Sequence, residues 1–302
     1  TRTPRLPEAG ETLIGAQFYM AGGGKGANQA VAVAKLGVAT EMVGRVGGDQ
    51  FGADLLAGLR STGVGIQHVQ VDSSIHSGVA VITVTDTGEN QIIGIPGANG
   101  RLNQTDALYL EALLPQATAL MLQLEVPLPA VQAAAQVARN YGVQVILDPA
   151  PVPPEPLTDL YPLVDLVLPN QVEATQLVGF TVHDRETATQ AARVLQTQGV
   201  HTVIIKLGAQ GALCATPEDD FFIPTFPVAA IDTVAAGDAF AGGLMAALVE
   251  GLPLRQATTW AAAAGALATT RAGAQSAMPD RAELQAFLAD RAYPNWEIEK
   301  QG

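Results

Sequence analysis

Ala119-Leu120-Met121-Leu122-Gln123-Leu124 is the first of four short apolar runs that alternate with Ala-rich segments in the middle of the chain. The other three runs are centred on Val145, Leu166 and Ile204, and the intervening segment 128–141 has the spacing of a helix. Strand, helix and strand in this alternation are typical of parallel βαβ units. The sequence therefore predicts an α/β fold with a mostly parallel central sheet.

Polar residues or glycine follow each of these runs. They are Glu125, Asp148, Asn170 and Gly208, in the order of the four runs. Ligands of open α/β sheets bind beyond the carboxyl ends of the strands, where such residues would meet. We therefore expect one site at this edge of the sheet.

A β-hairpin is predicted outside this alternation. Two β-prone runs, 77–85 and 90–95, flank a turn-forming tetrapeptide. With the β-prone segment 11–20, the hairpin is expected to form a small projecting lid from about 7–22 and 76–98. Its apolar outer face would suit self-association. The alternative is an ordinary antiparallel edge of the main sheet.

Small residues and a carboxylate mark the start of a later helix. The stretch Asp232-Thr233-Val234-Ala235-Ala236-Gly237-Asp238 precedes the helical run 239–248. Free backbone N–H groups at a helix start attract anions, and small residues let a phosphate approach the main chain. Asp238 beside that anion would suit the base that phosphoryl transfer to an alcohol needs. The alternative is that Asp238 only caps or lines the first turn.

Three further segments combine turn-forming residues with polar side chains. The segment 22–30, Gly-Gly-Gly-Lys-Gly-Ala-Asn-Gln-Ala, is neither a P-loop nor a dinucleotide motif; it suits a hydroxyl-rich or anionic ligand, or a simple turn before a helix. Asn170-Gln171-Val172-Glu173 has the spacing of a capping box, or presents a carboxylate to Mg²⁺. Gly208-Ala209-Gln210-Gly211 predicts a tight turn, or a surface for a purine and its ribose.

The composition restricts the partners of the chain. With 302 residues, a net charge of −13 and no basic run, it is expected to bind neither nucleic acid nor an anionic membrane. The single cysteine, Cys214, is expected to be a buried inert thiol, and the four histidines lack metal-ligand spacing. No apolar run is long enough to span a membrane, so we expect one cytoplasmic domain over 1–302.

Taken together, these segments resemble the ribokinase-like family of carbohydrate kinases, also called the phosphofructokinase-B family. The resemblance covers about 7–288, and it rests chiefly on Gly-Gly-Lys-Gly-Ala-Asn at 23–28 and on the segment 232–238. Four segments look most like the ribokinase branch: Gly-Gly-Lys-Gly-Ala-Asn-Gln-Ala at 23–30, Gly-Ala-Asn at 97–99, Gln-Leu-Glu at 123–125 and Thr-Arg-Ala-Gly-Ala-Gln at 270–275. The resemblance implies a three-layer α/β/α fold with a small β-sheet lid. It also implies ATP-dependent phosphorylation of D-ribose at O5 with Mg²⁺ and K⁺, by a homodimer that pairs through its lids.

The resemblance implies roles for the segment 235–238, where the helical run 239–248 begins. Asp238 would be the base that takes the proton from the ribose 5-hydroxyl. The backbone of Ala235, Ala236 and Gly237 would form the anion hole for the γ-phosphate.

It also implies three sets of binding residues. The sugar hydroxyls would be held by Gly24, Lys25, Gly26, Ala27, Asn28 and Glu125. The nucleotide would be bound by Asn170, Lys206, Leu207, Gly208, Ala209, Gln210, Gly211 and Gly237. Magnesium would be held with the help of Glu173, and potassium by Asp232, Val234, Ala268, Arg271 and Gly273.

Three features depart from the family pattern. The family normally opens with a strand carrying Gly-x-x-Asn-x-Asp, whose Asn and Asp hold the sugar, and this sequence begins just after that point. We expect such a strand to precede Thr1, because without it the sheet would expose its hydrophobic centre. Ala277 replaces a Ser near the cation, and Ala262 replaces a polar residue near the adenine.

Two alternatives to ribose phosphorylation stay open. The acceptor could be another sugar or a nucleoside, such as deoxyribose, fructose or a pseudouridine-type nucleoside. A non-catalytic protein that binds sugar or nucleotide is the alternative of a different class.

Overall fold

The computed structural model describes residues 1–87 and 89–291, in which strands and helices alternate along most of the chain. In chain order the strands are β1 (Arg2–Thr3), β2 (Glu41–Gly47), β3 (Gly65–Asp72), β4 (Val79–Thr85), β5 (Asn90–Ile95), β6 (Ala119–Leu122), β7 (Gln144–Leu147), β8 (Leu166–Val167), β9 (Thr202–Lys206), β10 (Gly211–Ala215) and β11 (Asp220–Pro224). The helices are α1 (Lys25–Lys35), α2 (Gln50–Ser61), α3 (Leu128–Asn140), α4 (Gln171–Val178), α5 (Arg185–Thr197), α6 (Ala236–Val249), α7 (Leu254–Thr269) and α8 (Arg281–Asp290).

Strands β6 to β11 form the main sheet, in the order β11-β10-β9-β8-β7-β6. Strands β6 to β9 are parallel neighbours, and β10 and β11 extend the sheet as antiparallel strands. Helix α3 connects β6 to β7, and α4 and α5 connect β8 to β9. The predicted mostly parallel sheet is confirmed.

Alternate residues of the central strands face opposite layers of helices. Val145 and Leu147 belong to a core that contains Ala135 of α3 and Ala192 of α5. Ile146 lies in a second core. That core also contains Ile204 of β9, Leu244 of α6 and Ala261 of α7. Helices therefore cover both faces of the sheet, and the predicted three-layer α/β/α fold is confirmed.

The lid is a sheet of its own, in the order β1-β4-β5. The predicted hairpin is confirmed, since β4 and β5 are antiparallel with Ile82 opposite Ile92. The alternative of an edge of the main sheet is wrong, because β4 pairs with β1 and β5, and neither β4 nor β5 pairs with β6 or β11 in the described part of the chain.

The third strand of the lid is not the one that the sequence predicts. It is β1, parallel to β4, whereas the segment 11–20 contributes only an isolated bridge between Gln17 and Arg2. Phe18 and Met20 are 72% and 70% exposed, so no buried face fixes this segment in an extended register.

Strands β2 and β3 form a separate parallel pair. Among the described residues, no backbone ladder joins β2 to β6.

Helices α6 and α7 are almost entirely buried. Small residues let α6 approach α1 closely, and this contact brings the two helix starts together. A Cβ built on Gly242 would lie 2.4 Å from Cβ of Ala32. Within the described residues, no helix is both long and apolar enough to cross a membrane.

The contact at Gly242 gives a stability prediction. We expect Gly242→Ala to lower the free energy of unfolding by about 1–3 kcal/mol, because the two helices must move apart. Gly58→Ala is the matched control, since Gly58 lies inside α2 with nothing within 4 Å of the added Cβ. The control should be neutral or stabilising by up to about 1 kcal/mol. Urea denaturation of both variants measures the difference, and equal midpoints would contradict the close contact.

Candidate active site

A cavity of about 330 Å³ opens at the carboxyl ends of the parallel strands, beside the start of α6. The structure brings residues from four distant sequence segments to its wall. The predicted site residues that line it are Lys25, Asn170, Glu173, Lys206, Gly208, Ala235, Gly237 and Asp238.

The start of α6 has the features of an anion-binding site. Ala235 precedes the helix with a φ of 58° and a ψ of 12°, a left-handed conformation that is uncommon for a residue other than glycine. No side chain of the described residues caps the helix. The N–H of Ala236 donates to the carbonyl of Thr233 at 3.3 Å, whereas the N–H groups of Gly237 and Asp238 retain hydrogen-bonding capacity. The helix dipole adds partial positive charge at the cavity.

Asp238 does not cap the helix that carries it. Its carboxylate accepts hydrogen bonds from Nδ2 of Asn28 at 2.9 Å and from Nε2 of Gln29 at 3.1 Å, both on α1. The alternative of a helix cap is therefore wrong, while the alternative that Asp238 only lines the first turn stays open. Burial raises the pKa of Asp238 above its ordinary value, although Lys25 and the two amides offset part of this effect.

Asn28 has one oxygen with no partner in the part of the chain that the structure describes. Its Oδ1 is buried and accepts no hydrogen bond, while its Nδ2 donates to Asp238. A buried acceptor of this kind is costly unless a donor reaches it. A hydroxyl of a bound ligand would supply that donor next to Asp238.

Asp148 links the two sides of the cavity, and sequence reasoning placed it at the right edge of the sheet without a role. Its carboxylate is fully buried and accepts hydrogen bonds from Nζ of Lys206 at 3.1 Å and from Nε2 of Gln29 at 2.8 Å. Nζ of Lys25 lies 3.5 Å from Oδ2 of the same carboxylate. The two lysines hold the pKa of Asp148 below its usual range despite burial.

Gln29 and Gln123 are further site residues, to which the sequence motifs assigned no role. Nε2 of Gln123 donates to Oε1 of Gln29 at 2.6 Å, and this fixes the amide that serves Asp238 and Asp148. A Cβ on Gly26 would approach Oε1 of Gln123 to 3.0 Å, so the glycine lets α1 lie close to the end of β6.

Glu125, two residues after Gln123, contacts the start of α1. Its Oε2 accepts a hydrogen bond of 2.7 Å from the backbone N–H of Lys25, at the start of α1. Gly24 precedes α1 with a φ of 91°, which favours glycine. The segment 22–30 therefore forms a turn before a helix, and it also directs Lys25 and Asn28 towards the cavity.

Asn170 and Glu173 form a complete capping box at the start of α4. The backbone N–H and Nδ2 of Asn170 each donate to one oxygen of Glu173 at 2.7 Å. Burial raises the pKa of Glu173. Within residues 1–87 and 89–291, no cluster of three or more Asp, Glu, His or Cys side chains forms a ready-made metal centre.

The segment after β9 forms the predicted tight turn. Gly208 has a φ of 55°, and the residues 208–210 make one turn of 3-10 helix before β10. The side chain of Leu207 is buried in the core, so this predicted nucleotide residue can offer a ligand only its backbone. The backbone carbonyl of His183 accepts hydrogen bonds from Gln171 and Gln210 on either side.

Asp232 ties together the two segments that carry the predicted potassium residues. Its Oδ1 accepts a hydrogen bond from the N–H of Val234, and its Oδ2 accepts one from Gly273, both at 3.0 Å. The side chain of Arg271 pairs with Glu283. The backbone N–H of Asp232 donates to the carbonyl of Thr269 at 3.1 Å, so the two segments also meet through their main chains.

The sequence matches the pfkB family carbohydrate kinases over residues 2–281. It is 40% identical to a ribokinase of Haemophilus influenzae over 286 residues, which covers 94% of this chain and 93% of that protein. It is 35% identical to a deoxyribokinase of Salmonella typhi, over 96% of this chain and 94% of that one.

The fold agrees with these sequence matches. The structure of Arabidopsis thaliana ribokinase complexed with ribose and ATP superposes with a TM-score of 0.86. The two chains are 31% identical, and the match covers 95% of this chain and 94% of the other. The predicted family is therefore confirmed, and this chain belongs to the pfkB family of carbohydrate kinases.

Proposed function

We propose that this protein transfers the γ-phosphoryl group of ATP to O5 of D-ribose. The observation that carries the proposal is Asp238, a buried carboxylate held by Asn28 and Gln29 beside the uncapped start of α6. Asp238 would accept a proton and the start of α6 would bind an anion, and both border the same cavity. The ribokinase relative, which matches nearly the whole chain, supports ribose as the acceptor.

In the proposed step, Asp238 takes the proton of the ribose 5-hydroxyl as O5 attacks the γ-phosphorus. A bond forms between O5 and phosphorus, and the bond from phosphorus to the oxygen bridging to the β-phosphate breaks. The N–H of Gly237 and the dipole of α6 would offset the charge on the moving group. The N–H of Ala236 donates to the carbonyl of Thr233 at 3.3 Å, and it would share its proton between this carbonyl and the phosphoryl oxygen. The products are ribose 5-phosphate and ADP.

The sugar would lie between the starts of α1 and α6. Oδ1 of Asn28 needs a donor, and a ribose hydroxyl provides one. Lys25 and Glu125 border the same space, with the N–H of Lys25 held by Glu125. The segment of Gly24, Gly26 and Ala27 is proposed to allow the sugar to approach the backbone.

The nucleotide would lie along the turn 208–211, with its phosphates directed at α6. Asn170, Lys206 and Gly237 border the path that the phosphates would take. Both oxygens of Glu173 already accept hydrogen bonds, so Mg²⁺ would be held through water and the phosphates of ATP. Bound magnesium would neutralise phosphate charge.

We also propose that K⁺ binds beside the anion hole, at Asp232 and carbonyls from Val234, Ala268, Arg271 and Gly273. The cation would hold the segment before α6 in the conformation that shapes the anion hole. Asp232→Asn removes the charged donor but retains an oxygen, so the K⁺ concentration for half-maximal activation should rise about tenfold. A potassium titration of turnover in a sodium-free buffer measures this, and an unchanged midpoint would contradict the assignment.

The lid is the proposed dimer contact. Its sheet exposes Ile92 opposite Ile82 on one face, and Ile93 opposite Val81 on the other. Exposed apolar area of this kind is typical of association surfaces. Sedimentation equilibrium tests the proposal, and a monomer at micromolar concentration would contradict it.

The substrate is tested by ADP release over a panel of ribose, deoxyribose, fructose and pseudouridine. We expect the highest kcat/KM for ribose. Deoxyribose is the second candidate, because a deoxyribokinase is among the relatives. Calorimetry showing ribose binding without ADP formation would support the non-catalytic alternative instead.

A further inference from the structure

We infer that the ammonium group of Lys206 contacts the phosphoryl group during its transfer, and that Asp148 positions this lysine. The family resemblance implies only that the segment 206–211 binds nucleotide. The inference rests on the proposed function, because it assigns an extra charge to the step that Asp238 begins.

The position of Lys206 is the first argument. Lys206 is the last residue of β9, and its side chain is only 11% exposed. Its Nζ lies 3.5 Å from the place where a Cβ on Gly237 would be. The ammonium therefore lies beside the first turn of α6, at the side of the cavity where the N–H groups would meet a phosphoryl oxygen.

The count of charges around Asp148 is the second argument. One buried carboxylate requires one counter-ion, yet Asp148 has two lysines, with Nζ of Lys206 at 3.1 Å and Nζ of Lys25 at 3.5 Å. Gln29 donates a further hydrogen bond to the same group. The two lysines therefore supply more positive charge than Asp148 alone requires, and they also interact with the neighbouring carboxylates Asp238 and Glu173.

The third argument is that other carboxylates of the cavity would repel an entering phosphate unless a positive charge lies nearby. Asp238 and Glu173 both border the space that the phosphates would enter. Their negative charges would oppose a phosphoryl group next to Gly237, and an ammonium at the same point offsets them at close range. Lys206 is the described cation that lies nearest to the backbone at this point.

Lys206 changes no bond in this step. It keeps its proton throughout the step. The bond from O5 to phosphorus forms as the bridging oxygen leaves with ADP, and Asp238 takes the proton from O5. The lysine contributes positive charge where negative charge shifts from the phosphoryl group to the leaving oxygen. Asp148 acts through Lys206 by fixing the direction of its side chain.

The competing explanation is that Lys206 only neutralises Asp148. Three variants separate the two: Lys206→Met, Asp148→Asn, and the double variant with both changes. The double variant restores the charge balance around the buried group, so it should fold even where Lys206→Met does not. Steady-state turnover is measured for each, and ADP affinity is measured by calorimetry.

If Lys206 contacts the phosphoryl group, kcat of both Lys206→Met and the double variant should fall about 100-fold. The KM for ribose and the Kd for ADP should stay within about threefold, since neither ligand contains the transferred group. Asp148→Asn should lower kcat in the presence of Lys206 but cause no further loss in the Lys206→Met background. Recovery of the double variant to within about threefold of wild-type kcat would overturn the inference.

A binding measurement keeps the inference testable if the proposed function fails. Should the wild-type protein phosphorylate no sugar of the panel, the proposed function is wrong and kcat gives no information. The affinities for ADP and for the β,γ-imido analogue of ATP are then compared between the wild type and the double variant. A loss of about tenfold confined to the analogue supports contact with the third phosphate, and equal losses for both nucleotides overturn it.

Discussion

Asp238→Asn is expected to lower kcat by at least about 1,000-fold without unfolding the protein. The amide cannot accept the proton that O5 must lose, and the neutral side chain no longer favours that transfer. The nucleotide site is unchanged, so the affinity for the β,γ-imido analogue of ATP should stay within about threefold of wild type. Residual turnover above about a tenth of wild type would show that Asp238 is not the base.

The fold should tolerate this change because of the free oxygen of Asn28. In the wild type, Nδ2 of Asn28 and Nε2 of Gln29 both donate to Asp238. An asparagine at 238 would place one amide donor against another, but a rotation of the Asn28 amide would bring its unpartnered Oδ1 into contact. Asp54→Asn on the exposed part of α2 is a control for an Asp-to-Asn change outside the cavity.

The pH dependence of the wild type tests the same assignment. Burial raises the pKa of Asp238, so the carboxylate becomes protonated at a higher pH than an exposed aspartate would. A protonated base cannot act, and kcat/KM should therefore fall as the pH drops through the raised pKa. The residual activity of Asp238→Asn should lack this acidic limb, and an identical limb in the variant would assign it to another group.

The main sheet could be predicted because its signals are local. Each parallel strand has a short apolar run, and β7, β8 and β9 are buried on both faces. The glycines at 142 and 199 follow the ends of the intervening helices. The lid hairpin was predictable for the same reason. Its third strand was not, because two residues at Arg2–Thr3 carry no periodic pattern and are ordered only by pairing with β4.

The sequence motifs predicted individual site residues, but they did not predict the contacts between residues from different motifs. Asp238, Asn170 and Lys25 lie in segments whose residue types have local meaning, whereas the contacts of Asp148 join strands and helices that are far apart in sequence. Gln29 contacts Asp148 across 119 residues, and Lys206 contacts it across 58. No spacing in the chain encodes such contacts, and they follow only from the order of the strands.

The sequence left two interpretations of the segment 170–173 open, a helix cap and a magnesium site, and they are compatible with each other. The residues 170–173 form a full capping box, and Glu173 also borders the cavity. The structural interpretation is confirmed, while a role near magnesium stays a proposal. Local sequence cannot separate the two, since the same carboxylate can cap a helix and interact with water around a cation.

Gly237→Val is expected to lower kcat/KM for ATP by at least about 100-fold in a protein that folds normally. Gly237 is the second residue of α6, and its φ is not in the left-handed region. An added Cβ would make an ordinary contact of 3.5 Å with Nζ of Lys206, so the backbone need not move. The side chain would instead occupy the space that the γ-phosphate needs at the start of the helix.

Gly58→Val is the matched control for this change. Both glycines lie in helices, and nothing lies within 4 Å of a Cβ at Gly58. Both variants replace glycine in a helix, so neither should lower the denaturation midpoint. Only Gly237→Val should lose turnover, and turnover within about tenfold of wild type would contradict an anion hole at this position.

The two active-site variants should also differ in the affinity for the β,γ-imido analogue of ATP. Asp238→Asn removes a proton acceptor and leaves the phosphate site open, so the analogue should still bind. Gly237→Val fills the phosphate site and leaves the carboxylate in place, so analogue binding should weaken at least about tenfold, and by more than ADP binding. Calorimetry on both variants therefore separates the base from the anion hole, and equal analogue affinities would contradict the division of roles between adjacent residues of α6.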